Sequence, residues 1–194
     1  MKTRSYAAEK NDSSRQPRKS AASARTAALL GGLALLWVLC SPARAGLAAG
    51  DIAIVGFNAD SPDDFAFMTL IEISDDSEII YFTDNGYTNG YLRTSEGTIA
   101  YTPPANGLQP GAVVVIRNSA SISISADRGT AERTSGDFDF ASSGDQILAY
   151  QVIGAQTNFI CAISTDSTTW NNSPGQDTYN SDVPSGLIRG VQAI

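Results

Sequence analysis

The chain has 194 residues, 42% of them hydrophobic, with 13 lysines and arginines, 20 aspartates and glutamates, and no histidine. That is enough for one globular domain and an extra segment at one end. Without histidine, Ser-His-Asp and Cys-His nucleophilic machinery and imidazole metal ligation are excluded from this chain.

The extra segment is at the start. Residues 1–26 form a basic n-region carrying Lys2, Arg4, Lys10, Arg15, Arg18, Lys19 and Arg25 among Ser, Ala and Asn. Residues 27–40 are an apolar h-region, followed by Ser41-Pro42 and the small-residue pattern Ala43-Arg44-Ala45. This is the grammar of a secretory signal peptide, with cleavage expected after Ala45. A signal anchor is the other reading, but a membrane-spanning helix needs about 20 apolar residues and this run is shorter. Bulky Leu39 argues against lipidation at Cys40. The acid-poor, Ser- and Arg-rich leader leaves an organelle transit peptide as an alternative. The expected location is secreted or cell surface, with no transmembrane span after cleavage.

Residues 46–194 would then carry five arginines, no lysine and 18 acids, a formal net charge of −13. Such a surface repels nucleic acid and anionic membranes and favours cations or neutral protein and glycan surfaces. Acidity also keeps an exported domain soluble, which is the plainer explanation. Cys161 remains as the single thiol, in the apolar run Asn158-Phe-Ile-Cys-Ala-Ile163. It reads as a buried, unreactive side chain.

In chain order, Asp51 to Phe57 reads as a strand, followed by an acidic loop and a second strand from Phe65 to Ile73. The second is apolar on both alternating faces, the pattern of a central strand covered on each side. Glu78 to Thr83 is a third strand, stopped by a compact turn at Asp84-Asn85-Gly86. Thr98 to Thr102 is a short strand ended by Pro103-Pro104, and Leu108-Gln-Pro-Gly111 is a turn that launches the β-branched run Ala112 to Arg117. Residues 118–136 alternate only over Ser121 to Ser125 and read as an excursion from the sheets. Strands return at Asp137 to Phe140, Ser143 to Tyr150 and Phe159 to Ile163, and Ser164 to Ser185 is a long polar loop by composition. The apolar segment Gly186 to Ile194 looks like the opening of another element, so Ile194 is not expected to be the natural end.

About seven to nine short strands with Gly and Pro turns between them predict an all-β fold, a sandwich or barrel. The order of Ile52-Ala-Ile-Val-Gly-Phe-Asn58, Asp64-Phe-Ala-Phe-Met-Thr-Leu-Ile71, Ile80-Tyr-Phe-Thr-Asp-Asn85, Gly97-Thr-Ile-Ala-Tyr101, Leu108 to Ile116 and Ser143-Gly-Asp-Gln-Ile-Leu-Ala-Tyr150 resembles the lamin tail domain. That resemblance implies an immunoglobulin-like β-sandwich over residues 46–194 and a module for attachment in exported multidomain proteins, with no reaction of its own. The segment from Ser119 to Ser135 and the polar tail after Ile163 depart from the family's pattern.

Two groups of residues are candidates for binding. Asn58, Asp60, Asp63 and Asp64 in the first acidic loop, with Asp84 and Asn85 after the third strand, would bring carboxylate and amide oxygens to one sheet end, a donor set suited to Ca2+. Solvated turn acids are the plainer reading, and the spacing does not match the helix-flanked calcium loop. Tyr87, Tyr91, Trp170 and Tyr179 sit in polar loops, where a ring could stack on a sugar or a protein surface, or fold back over the sandwich edge. Asn171-Asn-Ser173 matches the glycosylation pattern, although Pro174 follows it.

The expected function is therefore an exported, non-catalytic adhesion or interaction module, calcium-assisted. The alternatives are an accessory region or fragment of a secreted hydrolase, a phosphoesterase, nuclease or glycosidase, or a carbohydrate-binding module. A catalytic carboxylate pair would need a cleft with two acids at a defined separation.

Overall fold

The structure, a computed structural model, describes residues 46–119, 123–166, 170 and 180–194. The expected signal peptide at residues 1–45 lies outside them, as do the glycosylation pattern and most of the polar loop. Among the described residues there are eleven strands and no helix: β1 (Ile52–Asn58), β2 (Asp64–Thr69), β3 (Ile80–Thr83), β4 (Tyr87–Thr88), β5 (Tyr91–Leu92), β6 (Thr98–Thr102), β7 (Val113–Ser119), β8 (Ser123–Ala126), β9 (Thr130–Ser135), β10 (Gln146–Ile153) and β11 (Gln156–Ser164). They form the expected β-sandwich. One antiparallel sheet has the order β1-β2-β7-β8, the other β11-β10-β3-β6-β9, and β4 with β5 makes a small hairpin.

Alternation decides which side chains meet between the sheets. In the first sheet Ile54, Phe67 and Val114 stand in one row, and Phe57, Phe65 and Ile116 in another. They face Ile80, Phe82, Ile99, Tyr101, Ile147 and Ala149 from the second sheet in a single core. Its centre is aromatic, with the Phe82 ring 4.9 Å from Phe65 and 5.0 Å from Phe67, and Tyr101 edge-on to Phe67 at 5.1 Å. Such pairs add attraction beyond the area they bury.

A second apolar cluster covers the other face of the second sheet. Leu148, Tyr150, Phe159 and Ala162 meet Tyr87, Trp170, Leu187 and Ala193 there. Gln146 to Gln151 of β10 are consequently buried without interruption. The strand covered on each side is thus β10. In β2, which is central in its own sheet, Ala66 and Met68 remain half-buried on the outer face.

Three local expectations change. The segment 118–136 is not an excursion, because β8 and β9 lie in it as the edge strands of the two sheets, paired to β7 and β6. Asp137 to Phe140 joins no ladder among the described residues. The left-handed turn falls at Asn89-Gly90 (φ 52° and 87°) between β4 and β5 and not at Asp84-Asn85-Gly86, since Asp84 and Asn85 are buried and hydrogen-bonded. The Leu108-Gln-Pro-Gly111 turn forms as expected, with Ala112 N–H donating to the Gln109 carbonyl at 3.0 Å. No helix of the described residues is long and apolar enough to cross a membrane.

Candidate functional site

The acids cluster at one end of the sandwich, around the unpaired segment 137–141. Phe138 and Phe140 anchor this segment in the core, their rings 5.0 Å apart. Alternation then turns Asp137 and Asp139 outward, where both are exposed.

Among the described residues the segment has no ladder partner, so its amides need other acceptors. Three carboxylates from three elements supply them. Asp84, just past β3, accepts from Asp139 N–H at 2.9 Å; Asp63, in the β1–β2 loop, accepts from Phe140 N–H at 3.1 Å; Asp145, just before β10, accepts from Ala141 N–H at 3.0 Å. Asp84 also accepts from Gly97 N–H at 2.7 Å, and Asp145 from Gln146 N–H at 2.8 Å. A row of consecutive amides is thereby lashed to the loop ends of both sheets.

Burial dominates the electrostatics. Desolvation pushes Asp84 up to about 8, against the two amide donors that favour its charged form, with the negative charges of Glu96 and Asp145 adding to the rise. Asp145 is raised to about 6, again chiefly by desolvation and against its amide donors. Asp63 rises to about 6 through burial and then through a side-chain hydrogen bond with Asp139.

Of the six oxygen-bearing residues named from the sequence, the structure brings Asp63 and Asp84 to the same segment and sends the others elsewhere. Asn58 ties its own loop, donating to the Asp60 and Pro62 carbonyls at 3.1 and 2.9 Å. Asp60 is exposed beside it. Asp64 accepts from Asn118 N–H at 3.1 Å, while Asn85 accepts from Glu96 N–H at 2.8 Å and donates to Thr83 Oγ1 at 2.8 Å. Among the described residues, no three Asp, Glu, Cys or His side chains are placed to hold a metal ion together. Asp139, Asp145 and Asn118 belong to this end as well and carry no binding pattern in the sequence. The only sequence signal for Asp139 is its alternation with Phe138 and Phe140, which reads equally as an ordinary strand.

The aromatic group divides. Tyr87 is buried, edge-on to Phe159 at 5.3 Å, and Trp170 is buried in the second cluster. Tyr91 is 56% exposed and shares a shallow cleft of about 440 Å3 with Tyr87, Leu92 and Phe159. Tyr179 lies outside the described residues. Cys161 is buried as expected, and burial pushes its thiol up to about 12.

Compared with known proteins, the chain matches no family model, no curated protein and no solved structure. The lamin tail resemblance therefore rests on residue pattern alone.

Proposed function

We propose that the chain is an exported, non-catalytic interaction module of the lamin-tail type, which attaches its protein to a neutral, partly apolar protein surface. The observation that carries this reading is the outer face of the first sheet. Ala53, Met68 and Val113 form one cross-strand row on it and Gly56, Ala66 and Val115 another. Val55 at the β1 bulge and Val113 are 50% and 40% exposed. The two rows contain no ionisable group, in a domain of formal charge −13. A continuous apolar patch on an otherwise strongly charged molecule marks an interaction surface. The acids fit the non-catalytic part of the reading, because Asp84 and Asp145 are each occupied as acceptors from two backbone amides.

A second reading, glycan binding, is favoured by the exposed Tyr91 ring beside its cleft. Two variants separate the readings when retention of the exported chain at the producing cell's surface is measured. Val113→Asp should release the chain and Tyr91→Ala should not. Release by Tyr91→Ala alone, reversed by no apolar change, would move the function to the cleft. Retention unaffected by both, or turnover of a phosphoester or glycoside by the purified chain, would overturn the proposal.

A further inference from the structure

Holding backbone amides does not account for one pair of acids. Asp63 and Asp139 lie near enough for the negative charge of Asp139 to raise the Asp63 carboxyl. Neighbouring carboxylates repel unless a proton or a cation offsets their charge. Both line a cleft of about 280 Å3 together with Ser61, Asn118, Arg133, Asp137 and Phe138. Asn118, at the end of β7, is only 5% exposed; its Nδ2 donates to the Phe138 carbonyl, and its Oδ1 is buried without a partner among the described residues. Turning the amide over would set Oδ1 against that carbonyl, so the hydrogen bond fixes which atom is left over. Arg133, the cation in the cleft wall, is paired with Asp137 at 2.8 Å. Its charge is thus offset locally.

We infer that Asp63, Asp139 and Asn118 Oδ1 form a calcium site that ties the β1–β2 loop to the 137–141 segment and to β7. The donors are all oxygen, of the carboxylate and amide types that calcium accepts within its shell of six to eight, the remainder coming from water and backbone carbonyls. Zinc would call for His or Cys; the chain has no histidine, and Cys161 is in the core. Asp139 is exposed, which gives the ion a path from solvent. The ligand set differs from the one read in the sequence, because Asn58 and Asp60 stay within their own loop and Asp84 is taken by two amides. With two carboxylates instead of three or four, the affinity belongs with extracellular calcium modules, at about 0.1–1 mM. The use made of the ion rests on the interaction-module reading; the binding itself does not.

Titration of the full chain with calcium chloride by calorimetry, and melting in EDTA against millimolar calcium, test the site. Binding in that range with a melting rise of a few degrees is expected. Asp139→Asn and Asp63→Asn should each weaken binding at least tenfold, whereas Asp60→Asn, exposed in the same loop, should leave it unchanged. No heat and no melting shift in the unaltered chain overturns the site, and this result stands even where a variant fails to fold. Binding lost in Asp60→Asn, or retained in a folded Asp139→Asn, overturns the assignment of ligands. A chain that binds calcium but is not held at the cell surface would count against the interaction reading alone.

Discussion

Thr83 shows how much one hydroxyl organises at the acidic end. Its side chain is fully buried, donates to the Gly97 carbonyl at 2.5 Å, and accepts from both the backbone and side-chain N–H of Asn85 at 3.1 and 2.8 Å. Valine has nearly the same shape and none of these bonds. Removing one member of a buried polar network costs about 1–3 kcal/mol, chiefly because the partners lose their compensation. Urea denaturation of Thr83→Val should show a loss of this size, and a change below about 0.5 kcal/mol would mean that the network contributes little. Gly97 belongs to the same knot for a steric reason: a Cβ there would stand 2.3 Å from Phe138 N. Only glycine lets the turn before β6 come this close to the 137–141 segment.

At the scale of elements, the two sheets differ in what covers them. Met68 in β2 lies half-buried on the open face, and Leu148 in β10 is fully buried beneath the second cluster. Met68→Lys should cost less than about 1 kcal/mol, because the long side chain can lie along the face with its ammonium in water. Leu148→Lys should cost more than about 3 kcal/mol or prevent folding, since the charge would enter an apolar cluster. Equal losses in thermal or chemical denaturation would contradict the open-face assignment.

This asymmetry also marks the limit of what the residues reveal beforehand. The apolar alternation of Phe65, Phe67, Val114 and Ile116 announces the inner core, because period two sends these side chains to one side. The same rule does not say which strand receives a second cover. Ala66 and Met68 look as buried as Leu148 and Tyr150 until residues far along the chain, Leu187 and Ala193 among them, are seen to pack on β10. The edge strands β8 and β9 were missed for a related reason. Their Ser-, Thr- and Glu-containing sequences send only Ile124, Ala126 and Ala131, each half-buried, toward the core, so the ladder hydrogen bonds define them and their hydrophobic trace is weak. Half of the acidic end was visible, as Asp63 and Asp84. Asp145 stood in a turn signal, and Asp139 was hidden in a pattern that resembles any strand.

For the whole molecule, buried acids and net charge act in the same direction. A carboxyl whose folded-state value is raised binds its proton more tightly in the native than in the unfolded chain. The stability it contributes is complete below the unfolded value near 4 and is lost as pH rises through the folded value. For Asp145 that window closes near 6, and for Asp84 near 8. Chemical denaturation should therefore give a more stable protein near pH 5 than near pH 8.5, and Asp84→Asn should flatten the fall between about pH 6 and 8. A stability that climbs over this range would show that the buried carboxyls are better solvated than their burial implies. Over the same range the formal charge of −13 beyond residue 45 adds self-repulsion to the loss.

Residues 192–194 bear on how the border of the second sheet is protected. Gln192 and Ile194 run alongside β11, accepting from Ala162 and Ser164 N–H at 2.8 Å each, and Ile194 N–H returns a bond to the Ala162 carbonyl at 3.1 Å. Three main-chain groups on that border are thus already engaged and cannot template a strand from another molecule. Three ordinary hydrogen bonds thus act as a safeguard against fibrillar stacking along this border.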